Sequence, residues 1–211
     1  YSVLNFTDEL CDLVSTTEVN LTQWERQKEI QNTKSPHSDL LSLGFSTFFL
    51  NRTNRSGIIK AGVMGGKSQE GNYKIDCRFN KPDLIRKIKQ IGKYRDKIRL
   101  FNLDTVDLIT DVIQELDLNC FVFFDPPYYK KGQSLYVNFY SHEDHVRLAA
   151  EISRIREKSW IASYDNVDEI KQLYSRYRDF EYDLSYTIQE KYKGKEIMFF
   201  SGNLLPLERI I

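Results

Sequence analysis

The sequence predicts an α/β fold, in which a sheet carrying a C-terminal β-hairpin follows a largely helical region. Three observations predict it. The run Phe121-Val122-Phe123-Phe124 is apolar throughout and stops at Asp125-Pro126-Pro127, as a strand sunk in a sheet must when prolines follow. Residues 98–101, 105–116 and 120–124 read as strand, helix and strand, the rhythm of a parallel βαβ unit. Residues 180–188 and 196–200 read as two final strands joined across Lys193-Gly194-Lys195.

In chain order, residues 1–14 bring Val3, Leu4, Phe6, Leu10, Leu13 and Val14 close to one helical face, and Thr22 is placed to cap a second helix. Residues 39–52 crowd Leu40, Leu41, Leu43, Phe45, Phe48, Phe49 and Leu50 too densely for a solvent-facing helix, so this helix is expected to be mostly buried. Residues 51–78 have no helical period and hold Gly57, Gly62, Gly65, Gly66 and Gly71, the texture of a long loop. Pro82-Asp83 opens an amphipathic helix over 82–97 with Leu84, Ile85, Ile88 and Ile91 inward. The βαβ rhythm after it puts Asp104 and Asp125 at the same edge of one sheet. Residues 130–140 are expected to form a lid over a ligand. They precede a helix over 142–158, a strand over 160–163 with Tyr164-Asp165-Asn166 as its outlet, and a helix over 167–177. Two regions result, a helical and loop region over 1–97 and a sheet-bearing region over 98–211.

Composition narrows the function. With 211 residues, 41% of them hydrophobic and 13% aromatic, the chain can bury one substantial core and a subdomain. Thirty basic and thirty acidic residues cancel, which excludes a uniformly cationic nucleic-acid sleeve but not a basic face opposite an acidic one. Residues 52–99 supply such a face, with fourteen Lys and Arg against four Asp and Glu. Cys11, Cys77 and Cys120 are odd in number and widely spaced, which supports neither a disulfide framework nor a zinc site and makes a reducing cytoplasm the expected compartment. No apolar run reaches the length of a membrane span, and no signal peptide is visible. The chain opens on Tyr1 in what reads as mid-helix, so it is expected to start inside a larger protein.

Side chains in the basic stretch suit duplex DNA. Glycines allow close backbone approach, Lys and Arg contact phosphates, and Asn, Gln or Arg read base edges. Asn51, Arg52, Asn54, Arg55, Lys60, Lys67, Gln69 and Arg78 are the candidate DNA contacts, against the plainer reading of a solvated loop. His142 and His145 lie three apart without a Cys or carboxylate cluster to complete a metal site, and no metal is expected. Ser163 lacks a Gly-x-Ser-x-Gly elbow and no phosphate-binding lysine-serine loop occurs, so hydrolase and nucleotide-loop readings fall away. Asp125, Pro126, Pro127 and Tyr128 remain. A carboxylate and a carbonyl freed by the proline turn can accept hydrogen bonds from an exocyclic amine while a tyrosine stacks on its ring. The same Asp-Pro-Pro run also serves as an ordinary strand stop.

The ordered set Phe48-Phe49-Leu50-Asn51-Arg52, Asn102-Leu103-Asp104, Asp125-Pro126-Pro127-Tyr128, Ser163-Tyr164-Asp165-Asn166 and Lys195-Glu196-Ile197 resembles the Dam-like, D12-class adenine-N6 DNA methyltransferases over essentially the whole chain. That resemblance implies a Rossmann-like, S-adenosylmethionine-dependent methyltransferase sheet with an inserted, largely helical target-recognition region. It implies that Asp125 and the Pro126 carbonyl hold the N6 amine of a flipped adenine, that Tyr128 stacks on the base, and that Asp125 and the weaker match Asp104 lie by the cofactor. Double-stranded DNA is the implied partner, with a restriction endonuclease as a possible second. The family's Phe-x-Gly-x-Gly cofactor loop and its acidic ribose-binding strand end are missing from the sequence, so the sheet is expected to be incomplete in its N-terminal part. The chain alone is then expected to have little activity without that part. Two other readings stay open: a non-catalytic DNA-binding or specificity subunit, and a cytosine-N4 or RNA amino-methyltransferase.

Overall fold

The computed structural model describes residues 1–130, 140–186 and 192–204. They fall into two units, Tyr1–Leu100 and Phe101–Ile211. The first is helical. Its elements are α1 (Ser2–Asn5), α2 (Thr7–Thr16), α3 (Leu21–Asn32), α4 (Leu40–Thr53) and α5 (Lys81–Gly92). The single helix expected over residues 1–14 is broken at Phe6, whose φ of −136° and ψ of 47° leave the helical region. Asn20, rather than Thr22, caps α3 by accepting the Gln23 N–H, and Asp39 caps α4 by accepting that of Ser42. Helix α4 buries Phe45, Phe49 and Leu50 against Leu10, Val14 and Trp24, while Leu40 at its start stays exposed.

Helix α5 is capped by Asn80, carries Pro82 in its first turn and ends at Gly92, short of the predicted residue 97. Leu84 and Ile88 enter the core, but Ile91 is exposed, contrary to expectation. In that last turn the close approach to α2 is made by Gly92, where a Cβ would lie 2.6 Å from the Thr7 hydroxyl. A short 3-10 turn, Arg95–Lys97, follows.

The second unit is built on a four-stranded sheet of order β1-β2-β4-β3, with β1 Phe121–Phe124, β2 Ser159–Asp165, β3 Arg178–Tyr186 and β4 Tyr192–Phe200. Strands β1 and β2 are parallel, and β4 runs antiparallel to both β2 and β3. The helices of this unit are α6 (Thr105–Leu108), which continues as a π-helical turn over Ile109–Ile113, then α7 (His142–Ile152) and α8 (Asp168–Leu173). A capping box closes the start of α7: Ser141 accepts the Asp144 N–H and the Asp144 side chain accepts that of Ser141.

Three expectations are corrected here. Residues 98–101 are not a strand, and Ile98, Leu100 and Phe101 are exposed. A strand exists only through a hydrogen-bonded neighbour, and among the described residues none pairs there. The parallel βαβ unit is therefore β1-α7-β2, and Asp104 does not sit at a strand end. The hairpin is present, but Lys193, Gly194 and Lys195 lie within β4 opposite Ser185, Leu184 and Asp183 instead of forming its turn. The lid expected over residues 130–140 falls largely outside the described residues.

Strand β1 is also not sunk in the sheet. Phe124 is buried, yet Phe121 and Phe123 are 55% and 52% exposed. One face of the sheet, with Trp160, Ala162, Tyr164, Ile197 and Phe199, packs on Ile109, Leu148, Ile152 and Ile170 of the helices. Phe121, Phe123 and Phe180 alternate to the other face, where no described helix covers them. No described helix is long and apolar enough to cross a membrane. This asymmetry predicts that Phe124→Ala costs about 3–5 kcal/mol, whereas Phe123→Ser costs less than about 1 kcal/mol, as read from urea unfolding midpoints.

Candidate active site

Asp125 follows the last residue of β1 and is exposed, while Pro126 behind it is buried. The parallel register pairs Phe124 with Ala162, which brings Ser163 beside Asp125. The Ser163 hydroxyl, itself buried, donates to Asp125 Oδ1 at 2.9 Å. Two residues further along β2, and so on the same face, the buried Asp165 carboxylate accepts the N–H of Tyr129 at 2.8 Å and that of Lys130 at 2.9 Å. Prolines cannot donate to a ladder, so the chain leaving β1 has no strand partner to hold it. Asp165 supplies the anchor instead. Tyr128 lies between the prolines and this anchor and is half-buried.

The sheet continues the polar end. Glu196 of β4 lies directly opposite Asp165, and Tyr182 of β3 opposite Glu196. The Tyr182 phenol donates to Glu196 Oε2 at 2.7 Å. Burial, then the bond to Glu196 and the nearby charge of Asp125, raise the Tyr182 phenol far above its usual range and keep it a donor. Asp125, Ser163, Asp165, Glu196 and Tyr182 thus share one end of one sheet face.

Behind the loop lies an aromatic group. Tyr129 packs on His145 at a ring separation of 5.2 Å, Tyr140 on His145 at 5.4 Å, and His145 on Tyr164 at 5.7 Å. Tyr129 Oη and His142 Nδ1 are 3.1 Å apart. His145 is fully buried, and among the described residues neither ring nitrogen has a hydrogen-bond partner. Asp104 joins the same group through Tyr140, whose hydroxyl donates to Asp104 Oδ2 at 3.4 Å. The other Asp104 oxygen caps α6 by accepting the Val106 N–H. Among the described residues, Asp104 thus connects to the Asp125 loop through Tyr140, His145 and Tyr129.

The basic stretch separates into two kinds of residue. Asn54 is buried, its Oδ1 accepting the Trp24 indole N–H at 2.6 Å and its Nδ2 donating to the carbonyls of Ile58 and Ile59. Gln69 donates to the carbonyls of Met64 and Gly66 and accepts the Ile75 N–H. Arg78 donates to the Asn51 and Asn54 carbonyls, and Asn51 to that of Gly57. Of the candidate DNA contacts, Asn54, Gln69 and Arg78 thus make hydrogen bonds to the loop's own backbone. Arg52 is half-buried, and Arg55, Lys60 and Lys67 are exposed. On α5, Arg86 and Lys87 pair with Asp83 at 2.6 and 2.9 Å.

From the sequence, Ser163 was set aside as a nucleophile and, with Asp165, counted in a motif of the resemblance without a role of its own, and Asp165 was placed beyond its strand. The available signal was their spacing: two polar side chains at i and i+2 near a strand end face the same way. Tyr164 and Asp165 pair with Ile197 and Glu196, which extends β2 to include both. Among the described residues no group of three His, Cys, Asp or Glu is placed to hold a metal ion.

A family model described as D12 class N6 adenine-specific DNA methyltransferase matches residues 13–191. No curated protein sequence matches the chain.

Burial, against the partial opposition of Asp165 and Asp144, lowers the pKa of His145. The unfolded chain takes up this proton near pH 6.5, before the folded chain does, so acid favours unfolding. The contribution is complete above about pH 6.5 and is lost as pH falls toward the folded value. Thermal unfolding midpoints should decline between about pH 7 and pH 5, and His145→Phe should flatten that decline.

Proposed function

Because the chain belongs to the D12 class N6 adenine-specific DNA methyltransferase family, we propose that it methylates the exocyclic N6 amine of an adenine flipped out of duplex DNA, at Asp125-Pro126-Pro127-Tyr128. S-adenosylmethionine is the proposed donor and supplies the methyl group when bound. The described residues offer that donor only the exposed Asp125 and Asp104 carboxylates, and no glycine-lined cradle stands beside them. The chemistry assigned to this chain is therefore that of the acceptor side.

The observation that carries the reading is the exposed Asp125 carboxylate, bonded on Oδ1 by Ser163 and followed by a backbone that Asp165 holds in place. Asp125 Oδ2 and the Pro126 carbonyl accept the two N–H bonds of the amine, turning its nitrogen lone pair out of the ring plane. Tyr128 stacks on the base and offsets the lost stacking of the duplex. With the amine held, its nitrogen would take the methyl group as the bond from that carbon to the donor's sulfonium sulfur breaks, the electron pair leaving with the sulfur as a neutral thioether, and the surplus proton would leave by way of the Asp125 carboxylate to water. The site contributes mainly by positioning. Arg55, Lys60 and Lys67 contact DNA phosphates, and the activity marks DNA, alone or beside a restriction endonuclease.

The test is Asp125→Ala in the protein at its natural full length. Incorporation of labelled methyl into duplex DNA should fall by at least about 100-fold, the scale on which loss of a pre-placed polar group acts, while DNA affinity stays within about twofold. Nucleoside mass analysis should find N6-methyladenine. Unchanged incorporation, or N4-methylcytosine as the product, contradicts the reading.

A further inference from the structure

We propose that Ser163 is a positioning residue for the Asp125 carboxylate, setting which of its oxygens is left to meet the substrate amine. The proposal rests on the assignment of Asp125 made above and concerns a residue that does not itself touch substrate. Asp125 lies just beyond β1, which has β2 as its one strand partner among the described residues, and is exposed. Left alone, its carboxylate would sample several rotamers, and an acceptor site spread over those rotamers seldom presents the geometry that in-line transfer needs.

Ser163 removes that freedom. Ser163 is 3% exposed and its hydroxyl donates to Asp125 Oδ1 at 2.9 Å, and a hydroxyl bonded to a carboxylate is a charge-assisted pair, stronger than a neutral one. The donor is itself well held. Ser163 sits inside β2, paired with Met198 of β4, between Ala162 and Tyr164, which are both fully buried in the helix-facing core. The hydroxyl therefore engages Oδ1 from within β2, and on this proposal Oδ2 is the oxygen left to accept from the amine.

The same strand controls the other end of the motif. Asp165 fixes the Tyr129 and Lys130 amides, immediately after Tyr128, so the stacking ring and the accepting carboxylate are both referred to β2. One strand thereby sets the distance between the group that grips the amine and the group that covers the ring.

Single-turnover methyl transfer and DNA affinity, measured on the protein at its natural full length, separate positioning from folding and from substrate binding. Ser163→Ala should slow transfer by about 10- to 100-fold, the loss expected for one charge-assisted hydrogen bond, with DNA affinity within about twofold of the parent. Ser163→Thr and Ser163→Val have nearly the same shape and differ in the hydroxyl, so Thr should be at least about fivefold faster than Val. Transfer by Ser163→Ala within about twofold of the parent overturns the proposal, as does a defect confined to DNA affinity or a Thr variant no faster than Val. Asp125→Asn, run beside them, distinguishes the two levels: a parent-like rate there sinks the assignment of Asp125 itself, whereas an inactive Asp125→Asn with an unaffected Ser163→Ala sinks only the positioning role.

Discussion

The second unit depends on one carboxylate taking two backbone N–H groups. Strand β1 is followed, after Asp125, by a pair of prolines and has β2 as its one strand partner among the described residues, so the chain beyond it has no ladder to follow. Asp165 replaces the ladder with two bonds to consecutive amides. An acid this buried is tolerable because those donors, with the charge of the carboxylate, make strong bonds in a poorly screened setting. The consequence is a loop set by the sheet rather than by its own sequence.

Two layers carry that arrangement. The helix-facing side of the sheet is apolar and closely packed, from Trp160 and Ala162 to Tyr164 in β2 and Ile197 and Phe199 in β4. It fixes the strands, and the strands fix the opposite face, where Ser163, Asp165, Glu196 and Tyr182 line up by register. The loop bridges both layers. Its Asp125 bonds to the polar face, while Tyr129 packs on His145 among the helix-side aromatics. His145 is buried among these rings, and burial lowers its pKa against the partial opposition of Asp165 and Asp144.

The motif and its punctuation were legible in the sequence because prolines act locally: Asp125-Pro126-Pro127 ends a strand whatever lies around it. Helices α4 and α5 were legible through the density and period of their apolar residues. What lay hidden depended on neighbours far away in the chain. Phe121 to Phe124 has the composition of a central strand, but whether a strand is central is decided by what pairs on each side, and composition is silent on that. Residues 98–101 have strand composition and no described partner, so they form no strand. In the basic stretch, residue type suggested base readers, and it could not show that Asn54 bonds the Trp24 indole and two loop carbonyls or that Gln69 bonds the backbone around it. An Asn in contact with DNA and an Asn that ties a loop look alike until the loop's own backbone is in view.

Amide hydrogen exchange at Tyr129 and Lys130 tests the central claim most directly, because it reads the clamp itself without requiring catalysis. Both amides are predicted to exchange slowly in the parent protein, and to be released together by Asp165→Ala while the amides of β2 and β4 keep their protection. Fast exchange at both positions in the parent, or protection unchanged by Asp165→Ala, would contradict the account.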